Sequence, residues 1–207
     1  MSADVPQSIR SPHVLLAEGR DLDVFLQALL RNLGIGGVEI FNFGGVSQCR
    51  PFLEAFVLTP GFELVERLGV VRDAEGSASS ARDSLRDAIS NAGLRPSRRE
   101  EIWTGQRPSV GYFILPGGGR DGALEDLCLD SVREDPALAC VDSFFECLSR
   151  RRPPPLNPRK ARLMAFLASR ERHVPLVGNA ANAGVFPFDS PAFQTLKSFL
   201  AQLRGTI

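Results

Sequence analysis

The sequence predicts an α/β domain: a mostly parallel four-stranded sheet with helices on both faces, followed by a C-terminal helical extension. Three observations carry this expectation. Four short apolar runs are each followed by a segment whose apolar residues recur at helical spacing. Alternation of that kind builds right-handed βαβ units and hence parallel pairing. Beyond residues 150–158 (RRRPPPLNP) the patterns are helical only. The expected organisation is a flexible tail over 1–12, an α/β core over 13–133, and a helical extension over 134–207 packed on that core.

The elements follow in order. Residues 13–17 (HVLLA) read as a buried strand ending at Glu18-Gly19. Leu22, Phe25, Leu26, Leu29, Leu30 and Leu33 come next at helical spacing, with Asp21 suited to the N-cap and Gly34 to the C-terminal stop. Residues 38–43 (VEIFNF) form the second strand, closed by Gly44-Gly45, and 49–58 a helix stopped by Pro60-Gly61. The third strand, LGVVR, lies within 64–72 and ends at Asp73-Ala74-Glu75-Gly76. A helix over 77–92 turns Ala81, Leu85, Ala88 and Ile89 inward. Residues 94–108 are polar and loop-like. The fourth strand, 110–115 (VGYFIL), is broken by Pro116 and three glycines. Further helices are expected over 122–132, 137–148 (with Val141, Phe144, Phe145 and Leu148 inward), 158–170 and 191–203.

Composition bounds the function. Hydrophobic residues at 43% and charged residues at 23% are ordinary for a folded domain, and 207 residues can bury a sizeable core. No apolar run approaches the roughly 20 residues that span a bilayer, and residues 1–12 hold no signal-peptide core. A cytoplasmic protein without a membrane partner is expected. Cys49, Cys128, Cys140 and Cys147 form no CxxC pair and are expected to be buried thiols. Two histidines leave little for a histidine-rich metal site. Net charge is zero, yet residues 1–94 carry 8 basic and 12 acidic side chains, and residues 95–207 carry 16 and 12. This split is compatible with an acidic site early and a phosphate-facing surface late in the chain.

In open parallel sheets, sites form beyond the carboxyl ends of the strands. Carboxylates accumulate there. Glu18 ends the first strand, with Asp21 and Asp23 behind it. Asp73 and Glu75 end the third, and Glu125 and Asp126 open the helix after the fourth. Clustered carboxylates repel one another, and their pKa values rise unless something positive sits among them. A hard divalent cation with oxygen ligands removes that cost, and two such ions about 4 Å apart suit phosphodiester chemistry. Taken singly, Asp21 also suits a helix cap, Asp73 a turn, and Glu125 or Asp126 a helix N-terminus.

These residues resemble the Toprim fold. LLAEG (15–19), FNFGG (41–45) and VVRDAEG (70–76) follow its pattern of a strand ending Glu-Gly, a strand with a glycine turn, and a strand ending Asp-x-Asp. That fold occurs in topoisomerases, primases and nucleases of the overcoming-lysogenization-defect type. The resemblance is closest to small stand-alone uncharacterised bacterial Toprim-like proteins, and extends to GALEDLCL (122–129), NPRKA (157–161) and FDSPAF (188–193). It implies Glu18 as metal ligand or general acid/base, Asp73 and Glu75 as the magnesium-binding pair, Glu125 as the acid of the nuclease branch, and Lys160 as the lysine facing the scissile phosphate. It implies Mg²⁺ or Mn²⁺ as cofactor and DNA or RNA as substrate. Two positions depart from the pattern. Leu22 stands where Toprim nucleases place a carboxylate, leaving Asp21 or Asp23 to substitute, and the second acid of the pair is Glu75.

The expected function is a magnesium-dependent nuclease or related phosphotransfer enzyme on nucleic acid, working in phage defence. The alternative is a Toprim scaffold that has lost turnover and binds a partner such as a separate ATPase. The sequence has no G-x-x-x-x-G-K-[ST] motif, so ATP chemistry would come from that partner. Two weaker signals remain. Gly117-Gly118-Gly119 could offer backbone N–H groups to a phosphate, against a plain turn. Arg95, Arg98 and Arg99 with Trp103 could meet nucleic acid, against a solvated loop.

Overall fold

The computed structural model describes residues 5–104, 107–172 and 174–204. Four strands, β1 (His13–Ala17), β2 (Val38–Asn42), β3 (Arg67–Asp73) and β4 (Ser109–Leu115), form one sheet in the order β2-β1-β3-β4, with every pairing parallel. Sheets of this kind are covered on both faces, which is why their strands read as continuous apolar runs. Val14, Leu16, Leu68, Val70, Val110, Tyr112 and Ile114 pack with α2 (Cys49–Phe56) and α3 (Ala78–Asn91). Leu15, Ala17, Val71, Phe113 and Leu115 pack with α1 (Gly19–Asn32) and α4 (Leu124–Ser131).

The four later helices are α5 (Pro136–Ser149), α6 (Pro158–Ala168), α7 (Val177–Asn182) and α8 (Gln194–Ala201). Leu163, Phe166, Val177, Ala181, Leu196 and Phe199 from these helices belong to the same apolar cluster as α1 and α4. Phe199 reaches the sheet through a slot made by two glycines. Gly69 and Gly111 are register partners on β3 and β4. A Cβ on Gly111 would lie 2.8 Å from Trp103 Cδ2 and 3.1 Å from Phe199 Cε2. The two rings stack there at 5.1 Å between centroids. The loop before β4 is thereby pinned against the last helix.

Several expectations change. Residues 191–203 form two short 3-10 turns around α8 instead of one helix. Helix α7 was not foreseen: VGNAAN is six residues long, with a glycine and two asparagines, and has little helix propensity of its own. It is held by close approach to α1, where a Cβ on Gly178 would sit 2.5 Å from Val24 Cβ. On α5, Val141 is buried as expected, together with Leu138, whereas Phe144 is 53% exposed. Cys49 and Cys128 are buried, whereas Cys140 and Cys147 lie exposed on α5. Residues 9–11, expected in the loose tail, are anchored to the core. Ile9 is buried and donates its N–H to Pro60 O at 2.8 Å, and the Arg10 and Ser11 N–H groups donate to Glu39 Oε2. Among the described residues, no helix is long and apolar enough to cross a membrane.

Candidate functional site

The sheet order decides the site. β1 and β3 are neighbours at its centre, so their carboxyl ends lie side by side. Glu18 is the residue between β1 and α1, and its N–H donates to Val71 O at 3.1 Å, continuing the β1–β3 ladder by one step. Asp73 is the last residue of β3, and its N–H donates to Glu18 Oε2 at 3.3 Å. The Glu18 carboxylate is thus tied to the backbone of a residue 55 positions away.

α4 brings the next element. The Leu124 N–H at its start donates to Asp73 Oδ1 at 2.9 Å, which places the first turn, and Glu125 with it, against the end of β3. The loops after β3 and β4 are joined by reciprocal backbone bonds, Glu75 N–H to Gly122 O at 2.7 Å and Gly122 N–H to Glu75 O at 2.9 Å. That join leaves Glu75 at φ 54, a left-handed conformation that costs a non-glycine residue on the order of 1 kcal/mol. Lys160 arrives on α6, which Pro158 opens and the Asn157 side chain caps by accepting the Lys160 N–H at 2.9 Å. Glu18, Asp21, Leu22, Asp73, Glu125 and Lys160 line one cleft of about 420 Å³, with Leu176 and Val177 forming part of its wall.

Like charges at close quarters shape the electrostatics. The Asp73 carboxyl is held well above the ordinary carboxylate range, first by burial and then by Glu18, Glu125 and Glu75, against a single opposing hydrogen bond from Leu124 N–H. Burial also raises Glu18, opposed chiefly by Arg72, and it raises Glu125, opposed by a backbone N–H and by Lys160. Perturbed carboxyls gathered in one cleft make it a candidate functional site.

A family model described as "Protein of unknown function (DUF3226)" matches residues 12–205. The chain belongs to the DUF3226 family. Its fold is similar to two solved structures. One is the C-terminal region of the Xanthomonas campestris pv. campestris OLD protein, at TM-score 0.53 and 19% identity over 94% of this chain and 95% of that one. The other is the C-terminal region of the Burkholderia pseudomallei OLD protein, at 0.51 and 14% over 95% and 98%. At such identities the likeness is one of fold, and it is the α/β architecture that the Toprim resemblance implied. No curated protein matches the chain.

Within this DUF3226 site the candidates separate. Asp21 lines the cleft, whereas Asp23 is buried and accepts a hydrogen bond from Gln27 Nε2 at 2.7 Å, so of the two only Asp21 faces the cleft. Glu125 lines the cleft. Asp126 is a helix cap: its Oδ2 accepts the Ala123 N–H at 2.8 Å and pairs with Arg159 Nε at 3.0 Å. Glu75 is exposed at the rim and acts on the others through its charge. Among the described residues, no three His, Cys, Asp or Glu side chains form a ready-made metal cage. Magnesium does not require one, since it keeps several waters and is commonly bound by one or two carboxylates. An all-oxygen, mutually repelling set of half-buried donors fits a partly hydrated hard dication.

Sequence reasoning missed Arg72. It is 4% exposed, with Nε 3.6 Å from Glu18 Oε2 and 3.4 Å from Asp73 O, and its Nη1 is buried without a partner. The available signal was an arginine at the even-numbered parity of Leu68 and Val70 inside an apolar strand, a position where charge is costly unless paired. The two weaker signals lie outside the acidic cleft. The Glu101 carboxyl is raised by burial and held down in part by the nearby Gly118 backbone of the glycine turn. The Trp103 ring is engaged by Phe199 and by Arg67, whose guanidinium carbon lies 5.5 Å from the ring centroid. Trp103 also lines, with Arg95, Arg98 and Arg99, a groove of about 580 Å³ apart from the acidic cleft.

Proposed function

We propose that this DUF3226 protein is a magnesium-dependent nuclease or related phosphotransfer enzyme acting on DNA or RNA. One observation carries the proposal: Glu18 and Asp73, from the ends of adjacent central strands, line one cleft with Glu125 and Lys160, and the Glu18 carboxylate accepts the Asp73 backbone N–H at 3.3 Å. Asp73 and Glu125 are the residues that would hold Mg²⁺ or Mn²⁺, with Asp21 and Glu75 near enough to assist. A bound dication would supply Lewis-acid polarisation of a phosphoryl oxygen and a more acidic water.

The chain's own groups have distinct tasks. Glu18, whose burial favours its protonated form at higher pH than usual, suits proton transfer at the attacking or departing oxygen. Lys160, an exposed cation on the far wall, offsets charge that grows on the phosphate. Leu176, Val177 and Leu124 give the cleft apolar walls, which strengthen charge interactions inside it. The likeness to OLD C-terminal regions supports the same chemistry at the level of fold. It motivates a setting in phage defence, in the cytoplasm, with a separate ATPase as partner.

The test is cleavage of plasmid DNA, linear DNA and RNA by the purified protein with Mg²⁺ or Mn²⁺. EDTA-sensitive cleavage is expected, with a loss of roughly 10³-fold or more in Asp73→Ala, as for removal of a group central to catalysis. Metal-dependent cleavage unchanged by that substitution would refute the site. No magnesium binding in calorimetry would leave the alternative, a scaffold that serves a partner protein.

A further inference from the structure

We infer that Arg72 stands in for one cation of this site, so that the cleft holds a single divalent ion and Glu18 acts beside that ion without ligating it. The inference rests on the proposed metal-dependent function and deepens it.

The geometry supplies the first argument. Arg72 is 4% exposed on a central strand, and its Nε lies 3.6 Å from Glu18 Oε2, which also accepts the Asp73 N–H at 3.3 Å. That oxygen already faces two donors of the chain, one of them charged. A dication on the same oxygen would have to share it with a guanidinium that cannot lose its proton.

Charge counting supplies the second. Glu18, Asp21, Asp73 and Glu125 line the cleft with Glu75 at its rim, and the cations beside them are Arg20, Lys160 and the buried Arg72. Five carboxylates against three cations leave a formal charge of −2. One dication neutralises it, and a second would overshoot before any substrate phosphate arrives.

The third is the orphan. Arg72 Nη1 is buried without a partner, so protein acceptors do not exhaust this guanidinium. Its unspent charge reaches the neighbourhood, including the buried Cys49 thiol, where it opposes a rise to about 11 caused by burial. A buried cation of this kind repels further cations most strongly where water is excluded. Arg72 is thus a positioning residue. It fixes the Glu18 carboxylate next to Asp73 and limits the ion count.

Manganese titration of the full chain, read by electron paramagnetic resonance and calorimetry, tests this without any activity measurement. One Mn²⁺ per wild-type chain is expected. Asp73→Asn should weaken binding at least about 100-fold, the size of effect reported for disturbing a metal's close support. Glu18→Gln should stay within about twofold of wild type. Arg72→Gln should admit a second Mn²⁺ or bind the first about tenfold tighter, and Arg72→Lys should restore the wild-type count. Two equivalent ions in the wild type would overturn the inference, as would a loss in Glu18→Gln matching that of Asp73→Asn. No bound manganese at all would refute the proposed function itself. Should Arg72→Gln fail to fold, the Glu18→Gln comparison decides.

Discussion

Asp73→Asn should make the protein more stable and inactive at once. Asp73 accepts one hydrogen bond at its carboxylate, from Leu124 N–H at 2.9 Å, and an asparagine Oδ1 can accept it equally. Three carboxylates, Glu18, Glu125 and Glu75, act on it, while Arg72 reaches Glu18 and the Asp73 backbone oxygen. A raised pKa in the fold means that the folded chain holds the proton more tightly than the unfolded one. Stability therefore falls as pH rises from the ordinary value of 3.8 through the raised one, and above that the wild type carries the full cost.

Relieving repulsion between unit charges in a partly solvated site is worth on the order of 1 kcal/mol or more, so a gain of about 1–2 kcal/mol is expected for Asp73→Asn near neutral pH in EDTA. At roughly 2–4 °C per kcal/mol for a chain of this size, Tm should rise by several degrees. The advantage should vanish near pH 3.5, where both proteins are neutral at this position. Excess Mg²⁺ should reverse the order, since a ligand at about 100 times its Kd adds about 2.7 kcal/mol to the wild type alone. Calorimetric melts across pH, with and without Mg²⁺, measure all of this. An asparagine variant less stable than wild type in EDTA near neutral pH would refute the claim that the rim stores charge repulsion.

Three further outcomes are expected. Lys160→Ala, at an exposed position, should leave denaturant stability within about 0.5 kcal/mol while cutting the cleavage rate roughly 10²–10³-fold. Gly111→Ala should cost about 1–3 kcal/mol in urea unfolding, because the new methyl meets Trp103 and Phe199 at 2.8 and 3.1 Å and neither ring can swing away from the packed slot. Phe199→Ala should cost about 3–5 kcal/mol and change Trp103 fluorescence, since the two rings stack at 5.1 Å.

Much of this architecture was legible in one dimension. Each strand of a parallel sheet is buried on both faces, so HVLLA, LGVVR and VGYFIL stand out as unbroken apolar runs between helices with regular spacing. The acids at strand ends were legible for the same reason, because the ends of those runs are marked by glycine, acid or proline. Glu18, Asp73 and Glu125 could be named before any coordinates. Elements with weak local signals were not legible. Helix α7 exists through its contact with Val24, and on α5 Phe144 is exposed whereas Leu138 and Val141 are buried.

What the sequence determined by itself was the kind of fold and the list of acids, since both follow from local periodicity and chain punctuation. The tertiary structure alone decided which acids meet. The order β2-β1-β3-β4 puts Glu18 against Asp73, turns Asp21 but not Asp23 into the cleft, and buries Arg72 beside them. Strand adjacency arises from packing between segments far apart in the chain, and no local pattern encodes which carboxyl end will lie beside which.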